Sequence, residues 1–218
     1  MKIISFLGNL LIFLGLAILV LIFYPVLIQE ADYQVKKISS QEYQLVEDPQ
    51  KIEEAKKETA LFNRQILLVP KSFDFSLVIP KIGVNSEVFP EIDSTNENDY
   101  LPVLKQGVAH AQGSSLPNGP GTVFIFAHST DSFYNIARYN ATFFLLRKLE
   151  ENDEIYVFYN NKKYYYLVVD KKIVKPEEVD SEVKKLEGNF LVLQTCWPPG
   201  TTLKRLLVIA RLANSHRE

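Results

Sequence analysis

Hydrophobic and polar positions are unevenly distributed along the chain. No charged residue occurs from Ile3 to Ile28, a run of 26 positions rich in Leu, Ile, Phe and Val, whereas residues 30–75 carry 16 charged side chains of mixed sign. As a helix rising ~1.5 Å per residue, the first segment would reach about 39 Å, enough for a hydrocarbon core of ~30 Å. The pattern predicts a transmembrane signal anchor over residues 1–29. A cleaved signal peptide is the alternative, but its apolar core is about 7–15 residues long and ends at a small-residue site. Here the run is longer and leaves through Phe23-Tyr24-Pro25-Val26-Leu27-Ile28. Lys2 precedes the span and Glu30 and Asp32 follow it. The positive-inside rule then puts the N-terminus in the cytoplasm and residues 30–218 outside it.

Residues 30–75 read as a polar stalk. Asp48-Pro49 has the form of an N-cap followed by proline at the first helical position. Ile52, Ala55, Thr59, Phe62 and Ile66 then recur at helical spacing, predicting one amphipathic helix. A flexible spacer is the other reading of this stretch.

Beyond Phe75 the period shortens. Ser76–Ile79 and Ser86–Phe89 read as short strands stopped by Pro80 and Pro90. Thr122–Ala127 is a nearly continuous apolar run bounded by Pro120-Gly121 and reads as a central strand. Glu154–Tyr159 and Lys163–Asp170 are joined by Asn160-Asn161-Lys162, a hairpin signal. Phe190–Thr195 and Leu206–Leu212 complete the set, with helical material expected only within Tyr139–Glu151 and Pro176–Leu186. This pattern predicts an all-β barrel or sandwich over residues 76–213, followed by a polar tail at 214–218.

Composition narrows the function. With 24 Lys+Arg against 26 Asp+Glu, there is no basic surplus with which to bind nucleic acid. The single cysteine excludes an intramolecular disulfide and a Cys-rich zinc site. No acidic cluster is distinctive enough to claim a metal, and no cofactor is expected.

Three residues could carry chemistry. Cys196 ends the apolar strand Phe190–Thr195 and precedes Trp197-Pro198-Pro199-Gly200, where no strand can continue. Strand ends present reactive side chains on a rigid support, and an unpaired thiol outside the cell is open to oxidation. Free cysteines are also often buried as small hydrophobes, so the residue alone leaves both readings open. His128 likewise closes Thr122–Ala127, and a neighbouring imidazole can favour a thiolate and protonate a leaving amine. Arg205 opens the strand that returns beside Cys196, and its permanent charge could hold a carbonyl or oxyanion. Of the other two histidines, His216 lies in the polar tail and His110 in Gly107-Val108-Ala109-His110.

Taken together, these residues resemble a family. Leu193-Gln194-Thr195-Cys196, followed by Arg205-Leu206-Leu207-Val208, is similar to the L-x-T-C … R-L-x-V pattern of sortases, the membrane-anchored cysteine transpeptidases of bacterial surfaces. Pro80–Val84 resembles the opening strand and turn. Gly107–His110, Leu116-Pro117 and Gly121 match the approach to the catalytic histidine, and Glu150–Val157 stands where the family turns into its next strand. The similarity covers about residues 76–212.

The resemblance implies an eight-stranded β-barrel with Cys196 as nucleophile, His128 as general acid/base and Arg205 on the oxyanion or substrate. It implies protein substrates with a C-terminal LPXTG-like sorting signal and an amine acceptor on a cell-wall peptide or protein subunit. His110 matches a recurrent, non-catalytic histidine. Ala127 stands where the family usually has glycine. The stretch Ser129–Leu149 is longer than expected, suggesting an insertion beside the groove. Pilus-building members often carry an Asp-Pro-aromatic lid and a second membrane helix. Here the only Asp-Pro precedes Gln50 and the chain ends six residues after Leu212, and both points weigh against a pilin polymerase. Two other functions remain open at this point: a hydrolytic cysteine peptidase on the same fold, and a non-catalytic membrane-tethered β-module.

Overall fold

The computed structural model describes residues 2–38, 42–46, 48–53, 56–57, 65–129 and 142–213. Helix α1 (Lys2–Ile38) carries the apolar run and continues past it into the charged stretch. Among the described residues no helix is long and apolar enough to cross a membrane. The described side chains of the apolar run reach from Phe6 to Val20, with Tyr24 beyond them.

The stalk departs from the expected single helix. Strands β1 (Glu42–Leu45) and β2 (Gln65–Leu68) pair in parallel, with Tyr43 opposite Ile66. Ile66 therefore belongs to a strand and not to the predicted helical stripe. Asp48 does cap a turn: its carboxylate accepts from Gln50 N at 2.9 Å, and Pro49 opens the 3₁₀ segment Pro49–Lys51. Ile52 is helical, while Ala55, Thr59 and Phe62 lie outside the described residues. The end of the stalk is bonded to the barrel, because Asn85 Nδ2 donates to Val69 O at 2.6 Å and Lys71 N donates to Asn85 Oδ1 at 3.1 Å.

Eight strands close the barrel: β3 (Phe75–Ile79), β4 (Val84–Ile92), β5 (Val108–Ala111), β6 (Thr122–Phe126), β7 (Glu154–Tyr159), β8 (Lys162–Val174), β9 (Phe190–Trp197) and β10 (Lys204–Leu212). Around the barrel they run β10-β8-β7-β3-β4-β5-β6-β9, and β9 pairs with β10 to leave no open edge. Two pairs are parallel, β4 with β5 and β6 with β9. Parallel neighbours need a crossover, and helix α2 (Glu97–Leu104) supplies the first. The side chains of Leu77, Ile79, Ile125, Leu191, Leu193 and Leu207 are fully buried in one continuous core.

Pro90 does not end its strand. β4 runs through it to Ile92, and the register with β5 slips between Phe89 and Ile92. On the other side β4 pairs with β3 only as far as Glu87, so the missing N–H of Pro90 breaks no ladder bond there. The hairpin turn is shorter than the sequence suggested. Only Asn160 and Asn161 form it, with φ of 50° and 59°, and Lys162 already pairs with Tyr159. Two consecutive positive φ values match the type I′ turn that suits strand twist, and asparagine tolerates them.

Strand β5 and helix α2 were not legible from periodicity. β5 has four residues, too few for alternation to emerge, and Pro102 inside α2 hides a helix that Asn96 caps through Asn98 N. The entry into β5 requires Gly107, where a Cβ would lie 2.5 Å from Glu87 O and 3.0 Å from the Phe89 ring.

Candidate active site

Adjacent strands bring the three candidate residues to one end of the barrel. β9 and β10 are antiparallel with Cys196 directly opposite Arg205. β6 runs parallel to β9 with Phe126 opposite Gln194. Beyond that pair the two chains stay joined: Ala127 N donates to Gln194 O at 3.1 Å, and buried Thr195 Oγ1 donates to Ala127 O at 2.9 Å. Two residues past Phe126 and Gln194 come His128 and Cys196, so the histidine stands at the level of the thiol on the neighbouring strand. Both are half-buried. The methyl of Ala127 is accommodated at 6% exposure.

The thiol is the only free cysteine. Burial pushes its pKa up, and the Arg205 guanidinium pulls it part of the way back. The resting site is thus weighted toward the neutral thiol, with a fixed positive charge across the strand pair to favour the thiolate. Arg205 Nη1 donates to Thr202 O at 2.9 Å and Lys204 O at 3.2 Å, which braces the loop between β9 and β10. Thr201 N and Oγ1 both donate to Pro198 O, at 3.0 and 2.8 Å, and close that loop into a turn.

Tyr100, not among the residues expected from sequence, joins this neighbourhood. Its ring meets Phe126 edge-on at 6.2 Å. Burial and the Glu97 carboxylate raise its phenol; nearby Cys196 adds to this and Arg205 opposes it. The signal that could have found it is the Asn96 cap followed by Glu97 and Asp99, which opens α2 and turns Tyr100 toward β6.

From Arg205 and Gln194 a groove of about 850 Å³ runs over Thr122 and Phe124 of β6. The turn Gln112–Ser115 forms one wall. The other is the 3₁₀ segment Pro176–Glu178 with the short helix α3 (Val179–Lys184), held where Lys172 Nζ donates to Glu182 Oε2 at 2.8 Å. Neither Cys196 nor His128 lines the groove; it reaches their end of the barrel through Arg205, opposite Cys196, and Gln194. An open trough of this size suits an extended peptide. Of the long stretch after Ser129, residues 130–141 lie outside the described set. The 3₁₀ segment Phe144–Lys148 that follows, capped by Phe143, buries Phe143 and Leu146 in the barrel core and also covers Phe144. His110 is not at this end: it is fully buried under the β4–β5 seam.

Comparison with known proteins identifies the barrel's family. The sortase domain model matches residues 77–213. Sortase C-1 of Actinomyces oris is 34% identical over 64% of this chain and 73% of its own, with a TM-score of 0.53. The pilus-related sortase C of Group B Streptococcus is 26% identical, covering 65% and 68%, with a TM-score of 0.53. Clostridium perfringens sortase C, solved with a C-terminal cell wall sorting motif, is 27% identical, covering 64% and 69%, with a TM-score of 0.52. No curated protein sequence matches the chain. With a domain match over more than half its length and an eight-stranded barrel of the same fold, the chain belongs to the sortase family.

Proposed function

We propose that this sortase is a membrane-anchored cysteine transpeptidase that cleaves an LPXTG-like C-terminal sorting signal and transfers the protein to an amine at the cell surface. The observation that carries the reading is the Cys196–Arg205 pair with His128 at the end of the adjoining parallel strand. A sorting peptide lying in the groove would bring its Thr carbonyl to the Cys196 sulfur. His128 takes the Cys196 proton, the resulting thiolate attacks the carbonyl carbon, a C–S bond forms, and negative charge gathers on the oxygen. Arg205, which cannot lose its proton, stabilises that charge. Collapse breaks the C–N bond as the His128 imidazolium gives its proton to the leaving amine, and a thioester on Cys196 remains. An incoming amine from a cell-wall peptide or protein subunit attacks the thioester, His128 takes its proton, and the thiolate leaves.

The membrane assignment follows from the apolar run. Every described side chain from Phe6 to Val20 is exposed, Phe13 by 71%, which suits a helix whose solvent is lipid. Residues 3–28 would span, with Lys2 cytoplasmic and the barrel extracytoplasmic. Just past the span, Glu30 bonds Arg147 Nη2 at 2.7 Å and Lys148 Nζ at 2.5 Å, tying α1 to the 3₁₀ segment Phe144–Lys148.

The test is to incubate residues 65–218 with an LPXTG peptide while titrating in an oligoglycine amine. A transpeptidase diverts product from acid to amide as the amine rises. Release of acid at every amine concentration would make the enzyme a hydrolytic peptidase instead.

A further inference from the structure

His110 is fully buried, yet it takes no part in the chemistry proposed above. Its ring is held on both nitrogens. Glu91 N donates to Nδ1 at 3.3 Å, with Glu91 Oε1 3.5 Å from the same nitrogen; with Nδ1 accepting the backbone N–H, Nε2 is the donor. Nε2 then donates to Ser115 O at 3.1 Å and lies 2.9 Å from Ser114 Oγ. That hydroxyl spends its own proton on Ala111 O at 2.8 Å and accepts from Phe124 N at 3.3 Å. Ser114 and Ser115 belong to the turn that walls the groove, and Phe124 belongs to its floor.

The other end of the imidazole reaches the β4 bulge. Glu91 has a φ of 55°, a left-handed conformation that a non-glycine residue holds only when its surroundings fix it. Its backbone N–H is spent on His110, and its Oε2 accepts from Gly113 N at 3.3 Å. The Phe75 ring packs against the imidazole at 5.7 Å. One imidazole therefore links a strained bulge to the groove wall.

We propose that His110 is a positioning residue for the peptide groove, acting through Ser114 and Ser115: its Nε2 link fixes the wall against which the sorting peptide binds. The inference rests on the transpeptidase reading, in which this groove receives the peptide. Because the link lies away from the thiol, it governs KM and leaves the reactivity of Cys196 alone.

Two variants separate the two nitrogens. In His110→Gln the amide nitrogen can reach Ser115 O and keep the wall link, whereas in His110→Asn the amide oxygen can accept from Glu91 N and keep only the bulge link. For each variant, KM and kcat for an LPXTG peptide are measured beside the rate of Cys196 alkylation by iodoacetamide. The expected result is a KM raised roughly fivefold to tenfold in His110→Asn, near wild type in His110→Gln, with alkylation unchanged in both. Equal KM shifts in the two variants, no shift in either, or alkylation that falls with cleavage would overturn the proposal. If His110→Asn does not fold, Ser114→Ala tests the same link, and an unchanged KM there overturns it. A wild type that alkylates at Cys196 but cleaves no sorting peptide defeats the transpeptidase reading, and this inference with it.

Discussion

Cys196 and Arg205 stand directly opposite each other on antiparallel strands, nine positions apart in sequence and joined by a braced loop. Burial works against the thiolate and the guanidinium works for it. In the proposed reaction this balance decides how readily a half-buried thiol at a strand end becomes a nucleophile.

The first prediction concerns that balance. Arg205→Ala removes the one named influence that lowers the Cys196 pKa, so the midpoint of pH-dependent alkylation should move upward. At a fixed pH near neutrality the alkylation rate should fall. With the oxyanion donor also lost, kcat for peptide cleavage should drop about 10²–10³-fold. An alkylation midpoint unchanged or lowered in the variant would show that Arg205 does not support the thiolate.

Thr195→Val tests how His128 is held. The exchange keeps side-chain shape but removes the buried donor to Ala127 O, leaving a carbonyl beside His128 without that partner. Stability should fall by about 1–3 kcal/mol in urea unfolding. kcat should fall as well, because the backbone that carries His128 loosens. A variant as stable as wild type would remove this bond from the account.

Glu182 ties the α3 wall to the barrel. Its hydrogen bonds to Lys172 and Lys185 pull its carboxyl down to about 2. A carboxyl lowered on folding contributes stability above its unfolded value of ~4.3, and that contribution is lost as pH falls through the folded value. Thermal melts should therefore show wild type losing more stability than Glu182→Gln between about pH 4.3 and pH 2. Parallel melting curves across that window would contradict it.

Gly107→Ala addresses the fold. A Cβ 2.5 Å from Glu87 O has nowhere to go unless the β4–β5 seam opens. The variant should lose roughly 1–3 kcal/mol, read as a lower melting temperature. Wild-type melting would mean the seam yields freely.

Much of this architecture was readable beforehand, and the exceptions have physical causes. Glu154–Tyr159 matched the strand observed there because β-rich residues fill it and two asparagines bound it. Cys196 and His128 were legible because each closes an apolar run, and strand ends position side chains. Their alignment rests on the parallel pairing of β6 with β9, which lie more than 60 residues apart in sequence and which no local pattern encodes. Pro90 misled because proline normally ends a strand, and only the register slip beside it makes room. Ile66 misled because helical spacing in a short window also fits a strand that finds a partner in Tyr43. The contact of Tyr100 with Phe126 and the His110 network with Glu91 and Ser115 are made only by the closed barrel, so local sequence marks at most the Asn96 cap that opens α2.

Trapping the acyl-enzyme tests the central claim most directly. The barrel is mixed with an LPXTG peptide, quenched in acid within seconds and digested for mass spectrometry. The account predicts an adduct of the peptide up to its Thr, carried as a thioester on the Cys196 fragment, which disappears when an amine is added before the quench. A Cys196→Ala variant that cleaves the peptide at the wild-type rate would contradict it.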